Sequence, residues 1–244
     1  MEATFYLPLY FQGVMGATAL LSGIWFLPFA GAMALPASTA GIYIKASGRY
    51  LETIWLGFIL MTLGLGLLIN LDARKSWPKI IIYQFITGFG VGPNFQAILT
   101  TLQNGVLGQD IATATATLGF VRTLAISIGI VVGGVIFQNG IQSHATELRN
   151  NLSVAAELIL GGAATASTDI VDRLPKDQRA VARTVYYQSL KNVWIFAVAI
   201  SAVGLLAILA IRKSTLSREH LVVKTGLDAE ERRRTFLAKE EREV

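Results

Sequence analysis

The 244-residue chain contains no cysteine and few charged side chains. Without cysteine, neither a disulfide framework nor a cysteine-ligated metal site can form. Charged residues make up 15% of the chain and hydrophobic residues 53%, whereas a soluble domain carries about 25% charged residues. The two histidines lie in polar segments, so they cannot supply a buried pair of metal ligands. This composition favours a membrane protein and predicts neither a metal site nor a cofactor.

Reactive groups are scarce as well, and this scarcity disfavours two further function classes. No nucleophile–base pair, metal cluster or phosphate-binding loop occurs at a usable spacing, so we do not expect an enzyme. The formal net charge is +5, but the basic residues lie at the edges of apolar segments and form no stripe on a folded domain. We therefore expect no nucleic-acid partner.

Long uncharged segments alternate with short polar ones along most of the chain. A helix of about 20 apolar residues crosses a hydrocarbon core of about 30 Å. The predicted spans are 17–44, 53–70, 80–104, 112–138 and 193–211, with a partial span at 3–11. The sequence thus predicts an all-α integral membrane protein with five complete helices and one remnant, whose main partner is the lipid bilayer.

Two polar segments complete this organisation. The segment 139–192 is predicted as a solvated loop, although Val181, Val185 and Tyr186 at helical spacing indicate an amphipathic helix at its end. The segment 212–244 is predicted as a charged tail.

The span 112–138 contains Arg122, which is the one charged residue in any predicted span. A guanidinium at the centre of a spanning helix costs about 3 kcal/mol on insertion scales. It either extends towards the lipid headgroups or lines a polar pathway, and both interpretations stay open. In the same span, Gly129 and Gly133 have the G-x-x-x-G spacing that permits close helix packing.

Lysine and arginine residues predict the orientation of the chain. Basic residues are enriched in cytoplasmic segments, and four of them, Arg212, Lys213, Arg218 and Lys224, open the tail. We therefore expect a cytoplasmic C-terminus, a cytoplasmic turn at 45–50 and an extracellular loop at 139–192. Asn151 begins an Asn-Leu-Ser sequon in that loop and is a candidate glycosylation site.

Several short motifs, taken in order, resemble those of the major facilitator superfamily. The segment 41–50 is similar to its cytoplasmic G-x-x-x-D-R-x-G-R-R loop, with matches at Gly41, Gly48 and Arg49 and a lysine at the acidic position. The segment 84–92 resembles its R-x-x-x-G-x-G pattern, with Gln84 in place of arginine. The segments 7–12, 112–123, 133–139 and 189–194 are similar to fungal drug:proton antiporters of the fourteen-helix kind.

This resemblance implies the C-terminal six-helix bundle of such a transporter, with the first helix truncated. Transporters of this superfamily have two repeated halves with a site between them. We therefore expect alternating access and proton-coupled export of small organic molecules such as drugs, toxins or secondary metabolites. No acidic residue lies in a predicted span, so the proton-carrying carboxylate is expected in the other half. We further expect a fragment or a truncated gene model, in the plasma membrane or alternatively the vacuolar membrane.

The resemblance also implies that the first, second, fourth and fifth helices line the substrate cavity, while the third and sixth face lipid. The candidate pathway residues are Tyr10, Trp25, Gln84, Asn94, Gln96 and Arg122. For the three amides, a structural hydrogen bond between helices is an equal alternative. An aromatic pocket with few charges suits amphipathic or weakly cationic molecules. The candidate helix-packing residues are Gly88, Gly90, Gly92, Gly129 and Gly133.

Two other functions remain open at this point. The chain could be a non-transporting or inactive membrane half-module that pairs with other membrane proteins. It could also belong to a siderophore-type carrier of the same superfamily, since such carriers can have a large outer loop before the last helix.

Overall fold

The computed structural model describes residues 2–72, 76–106, 108–152, 154–161 and 168–210, and these residues are almost entirely α-helical. Six helices of 12 or more residues form the body, which are α1 (Glu2–Gly13), α2 (Ala19–Ser47), α3 (Tyr50–Leu68), α4 (Trp77–Gly105), α5 (Ile111–Ser143) and α9 (Lys176–Leu209). Three short helices lie between the last two, which are α6 (Ala145–Leu152), α7 (Val154–Gly161) and α8 (Thr168–Asp172).

Four of the described helices, α2, α3, α5 and α9, are long and apolar enough to cross a membrane. Helix α4 has the same length as α2, 29 residues, but Gln84, Asn94 and Gln96 lower its mean hydropathy. Helix α1 has 12 residues, which is too short for a hydrocarbon core of about 30 Å. Length and composition thus support an all-α membrane protein and four of the five complete spans that the sequence predicts.

Two glycines in the left-handed region mark the first two helix connections. Gly16 has φ +67° and lies between α1 and α2. Gly48 has φ +72° and caps α2, and its backbone nitrogen donates to Ile44 O over 2.8 Å. Because glycine has no Cβ, it adopts this conformation without steric cost. The breaks that the sequence predicts around 12–16 and 45–50 fall at these residues.

Helix α4 packs between α2 and α3, and its glycines allow the backbones to approach closely. A Cβ on Gly90 would collide with the backbone of Met61 in α3. A Cβ on Gly92 would collide with the carbonyl oxygen of Met33 in α2, and Gly88 lies one turn earlier against the same helix. In lipid, where water exclusion does not drive association, such close packing holds helices together.

The described residues of the segment 139–192 are largely helical, so the prediction of a solvated loop was wrong for them. Helix α5 continues to Ser143, and α9 begins at Lys176 and not at residue 193. The short helices form because their apolar side chains are buried, with Leu148 of α6 and Ile159 of α7 both at 0% exposure. The amphipathic helix that the spacing of Val181, Val185 and Tyr186 predicts is confirmed, and it continues unbroken into the last span.

Polar contacts fasten these short helices, which we call the helical cap (145–172), to the long ones. The side-chain nitrogens of Gln138 and Gln142 in α5 both donate to Leu160 O in α7, over 2.8 and 2.9 Å. Arg183 of α9 forms an ion pair of 2.9 Å with Asp172 of α8. The predicted tail, 212–244, lies outside the described residues.

Candidate functional site

Arg122 of α5 packs against α4 in the middle of the bundle. The carbon of its guanidinium lies 3.4 Å from the centre of the Phe95 ring, in cation–π geometry. Arg122 lies about three turns after the start of α5, and Phe95 about three turns before the end of α4. Both residues are therefore about 16 Å from the α4–α5 connection, which is half of a hydrocarbon core of about 30 Å. The side chain thus runs across the bundle and not along α5 towards the connection.

Two adjoining cavities meet at Arg122, and we refer to them together as the Arg122 cavity. The first has a volume of about 300 Å³ and is lined by α3, α4 and α5, including Phe58, Asn94 and Phe95. The second has a volume of about 310 Å³ and is lined mainly by α3, α5 and α9, including Gly129 and Ser201. They share the side chains of Met61, Val91, Arg122 and Ala125. Each volume lies at the lower end of the range of about 300–1,000 Å³ for ligand pockets.

The lining of the Arg122 cavity is apolar except for a few groups, and Arg122 is the one charged residue in it that the structure describes. The ion pairs among the described residues lie elsewhere, with Arg49–Glu52 at the α2–α3 turn and the other three near α8, α7 and the start of α4. In this part of the chain, no carboxylate lies within 4.0 Å of the Arg122 guanidinium.

Asn94 lies beside Arg122 in the first cavity and is 7% exposed. Its side-chain nitrogen donates to Gly90 O over 3.0 Å, one turn earlier in α4. Its side-chain oxygen is buried and has no hydrogen-bond partner among the described residues. Gly57 of α3 faces the Asn94 amide, and a Cβ there would come within 2.6 Å of the amide oxygen. Asn94 thus lines the cavity beside the Arg122 cation, while its unpaired oxygen is buried towards Gly57.

The other two amide candidates contact neighbouring groups of the bundle and do not line the Arg122 cavity. Gln84 is 1% exposed, and its side-chain oxygen accepts from Phe29 N over 3.2 Å. Gln96 donates to Thr100 Oγ1 over 3.4 Å and contacts Gly41 of α2. The hydrogen bond of Gln84 joins two helices, which is the structural alternative that the sequence left open, whereas that of Gln96 lies within α4.

Tyr10 and Trp25 lie near the α3–α4 connection, at the end of the bundle opposite the α4–α5 connection. The hydroxyl of Tyr10 donates to Asp72 O over 2.7 Å, and its ring is 1% exposed. The ring of Trp25 stands edge-on to that of Trp77, with 4.8 Å between centroids. Neither residue lines the Arg122 cavity, so the structure brings together only Asn94 and Arg122 of the six candidates.

The remaining glycine candidates occupy different environments. Gly129 lines the second cavity. Gly133 lies under the ring of Tyr6, whose hydroxyl donates to Ile130 O over 2.8 Å, so this glycine lets α1 cross α5 closely.

The candidates outside the bundle centre lie at helix ends or in the cap. Arg49 is the N-cap residue of α3, and its guanidinium is 3.7 Å from the Glu52 carboxylate. Asn151 is exposed on α6, and its side-chain nitrogen donates to Glu147 O over 2.8 Å. Ser153, the third residue of the sequon, lies outside the described residues.

Sequence reasoning missed Phe95, and it missed Phe58 and Met61 because the third helix was expected to face lipid. Helices α3 and α9 both contribute lining residues to the Arg122 cavity. One signal in the sequence was available for Phe95. It lies as far before the α4–α5 connection as Arg122 lies after it, and antiparallel neighbours at equal distances from a connection lie at equal depth.

Comparison with known proteins relates the chain to fungal transporters. It is 43% identical to the efflux pump dotC of Dothistroma septosporum over 232 residues, which are 95% of this chain and 40% of the relative. It is 40% identical to the MFS-type transporter ppz2 of Metarhizium majus over 245 residues, which cover 100% of this chain and 42% of the relative. An MFS-type transporter of Aspergillus terreus is 42% identical over 212 residues, 86% of this chain and 38% of that protein.

The chain thus spans about two fifths of the length of these relatives. No family model matches the sequence, and no solved structure matches it either. Together with the apolar helices, the similarity supports an integral membrane protein. The relatives carry the names of transporters and efflux pumps, which are not enzymes, so the expectation that the chain is not an enzyme is supported.

Proposed function

We propose that the chain forms the C-terminal transmembrane bundle of a fungal major facilitator superfamily transporter, of the fourteen-helix drug:proton antiporter kind. The transporter would export small organic molecules by alternating access, with two bundles rocking about a site between them. The observation that carries this proposal is the 43% identity to a protein named an efflux pump, which extends over 95% of the chain.

The Arg122 cavity is the substrate site of this proposal. Transporters with repeated halves bind their substrates near the bilayer midplane. Arg122 and Phe95 lie about 16 Å from the α4–α5 connection, which agrees with such a depth. Intramembrane charges are costly and are usually retained for a function, and Arg122 is the one charge in the predicted spans.

Proton coupling is expected to depend on the other bundle. A coupling group must titrate at membrane depth. The described acids of this chain lie at helix ends, in connections and in the cap, as Glu52, Asp72 and Asp172 illustrate. The carboxylate that carries the proton would then come from outside these 244 residues.

The proposed orientation places the C-terminus in the cytoplasm of a fungal cell and the helical cap outside the plasma membrane. The vacuolar membrane is the alternative location. In this orientation Asn151, which is exposed in the last turn of α6, is accessible for glycosylation once that turn opens.

A vesicle assay tests the proposed function. The complete reading frame that contains these residues is expressed in a yeast strain that lacks its own efflux pumps, and inside-out plasma-membrane vesicles are prepared. We expect an acidic vesicle interior to drive the accumulation of fluorescent organic compounds, and a protonophore to abolish it. If no compound accumulates although the protein is present at a normal level, the chain is a non-transporting half-module and the proposal is wrong.

A further inference from the structure

We propose that the Arg122 cavity selects weakly acidic aromatic compounds and binds them as anions. This inference rests on the proposed transport function and names the substrate class for the same site. It reverses the expectation from the sequence, which favoured weakly cationic molecules because aromatic residues outnumber charges. Among the described residues that line the cavity, Arg122 is the one that is charged, and its charge is positive.

The charge of Arg122 is only partly compensated within the described chain. The Phe95 ring offers its face to the guanidinium at 3.4 Å, and a ring face attracts a cation. A guanidinium has five N–H donors, and neither a carboxylate nor a hydrogen-bond acceptor of the described residues pairs with those of Arg122. A bound carboxylate or phenolate would satisfy these donors with charge-assisted hydrogen bonds. A cation in the same place would be repelled.

The shape of the cavity favours a flat apolar body attached to that acidic group. Phe58, Phe95 and Met61 line it with aromatic and thioether groups, which pack well against rings. Since the two cavities share four lining side chains, an elongated molecule can extend from one into the other. Arg122 lies where the two cavities meet, so it would hold the acidic group of the ligand at that junction.

Asn94 adds a second polar requirement. Its buried side-chain oxygen has no partner among the described residues, and it belongs to the same cavity wall as Arg122. That oxygen lies against Gly57 of α3, so a ligand in the cavity reaches it once the amide turns. Leaving a buried acceptor unpaired is unfavourable, so a ligand that donates a hydrogen bond to the turned amide gains affinity. The fitting compound is therefore an aromatic acid that also carries a hydroxyl group.

Binding of charge-matched probes tests this inference. The product of the complete reading frame is reconstituted in phosphatidylcholine nanodiscs at pH 7.5, and empty nanodiscs correct for partition into lipid. The probes are 6-hydroxy-2-naphthoate, 2-naphthoate, 2-naphthol and 2-naphthylmethylammonium. We expect 6-hydroxy-2-naphthoate to bind at least tenfold more tightly than the ammonium compound, which corresponds to about 1.4 kcal/mol.

Substitutions then assign the selectivity to residues. Arg122→Gln is expected to weaken the binding of both naphthoates at least tenfold and to change that of 2-naphthol less than twofold. Arg122→Lys should retain part of the anion affinity, because it keeps the charge. Asn94→Leu should weaken the hydroxylated naphthoate more than 2-naphthoate. Lys191→Gln, which removes an exposed positive charge of α9 outside the cavity, is the control and should change nothing.

Three results would overturn the inference while leaving the proposed transport intact. The wild-type protein could prefer the ammonium probe, its anion binding could be independent of Arg122, or Arg122→Gln could weaken all probes equally. The last result would mean that Arg122 stabilises the bundle and does not select the anion. If no probe binds above empty nanodiscs and no transport is measured, the proposed function itself fails and this inference fails with it.

Discussion

The side-chain oxygen of Gln84 in α4 accepts a hydrogen bond of 3.2 Å from the backbone nitrogen of Phe29 in α2. Phe29 follows Pro28, which lacks a backbone donor and interrupts the hydrogen bonding of its helix. In membranes, such interruptions are tolerated where neighbouring helices satisfy the freed groups. Gln84 therefore joins α4 to α2 at the proline, which accounts for a polar side chain that is almost fully buried.

Replacing Gln84 by methionine should destabilise the bundle moderately. Methionine fills a similar volume but cannot accept the hydrogen bond, and hydrogen bonds between membrane helices contribute about 0.6 kcal/mol on average, up to about 1.7 kcal/mol. We expect Gln84→Met to lower the free energy of unfolding by about 1 kcal/mol, measured by denaturant titration in detergent micelles with circular dichroism. Gln96→Met is the control, since the hydrogen bond of Gln96 to Thr100 is long, at 3.4 Å, and lies within α4, so its loss should change stability less.

The close contact of Gly90 with the backbone of Met61 makes a second prediction. A methyl group at Gly90 has no flexible side chain to displace, so α3 and α4 must separate. Overpacking of this kind costs about 1–3 kcal/mol, and we expect a loss of stability in that range for Gly90→Ala. Gly66→Ala in α3 is the matched control, because no atom lies within 4 Å of its Cβ position. Equal stability of the two variants in the same titration would contradict this packing.

The attachment of the helical cap makes a third prediction. Gln138 and Gln142 both donate to Leu160 O at the end of α7. Without these two donors, α7 should open more often, and its backbone amides should exchange hydrogen faster. We expect Gln138→Met combined with Gln142→Met to accelerate exchange at 154–161 several-fold, measured by mass spectrometry. Gln188→Met, on the exposed side of α9, should leave that exchange unchanged.

The sequence predicts the connections of the helices better than their lengths. Uncharged segments and basic turns identify the breaks near Gly16 and Gly48, because a charged or polar turn is a local property of the chain. The position at which α9 starts, Lys176, is not determined by such a local property. The spacing of Val181, Val185 and Tyr186 predicts a helix in its first half. The structure adds that this half packs against the core and continues unbroken into the last span.

The candidate site is predictable in part for the same reason. Arg122 stands out in any reading of the sequence because a charge in an apolar span is rare. Its partner Phe95 and the neighbouring cavity depend on how α4 and α5 face each other, which is a tertiary property. Gln84 and Asn94 look alike in the sequence, and their partners alone distinguish them. Gln84 accepts a hydrogen bond from the helix opposite, whereas Asn94 donates within its own helix and lines a cavity. Each amide keeps one buried atom without a partner among the described residues.

The accessibility of single cysteines tests most directly whether these helices cross a bilayer in alternate directions. The chain has no cysteine of its own, so each introduced cysteine reports on its own position. Cysteine is introduced at Ala46 in the α2–α3 turn, at Ser76 before α4 and at Ser143 at the end of α5. Intact and permeabilised cells are then treated with a membrane-impermeant maleimide. We expect Ser76→Cys and Ser143→Cys to react in intact cells, and Ala46→Cys to react only after permeabilisation. Reaction of all three in intact cells would contradict the alternating arrangement, and with it the proposed transporter.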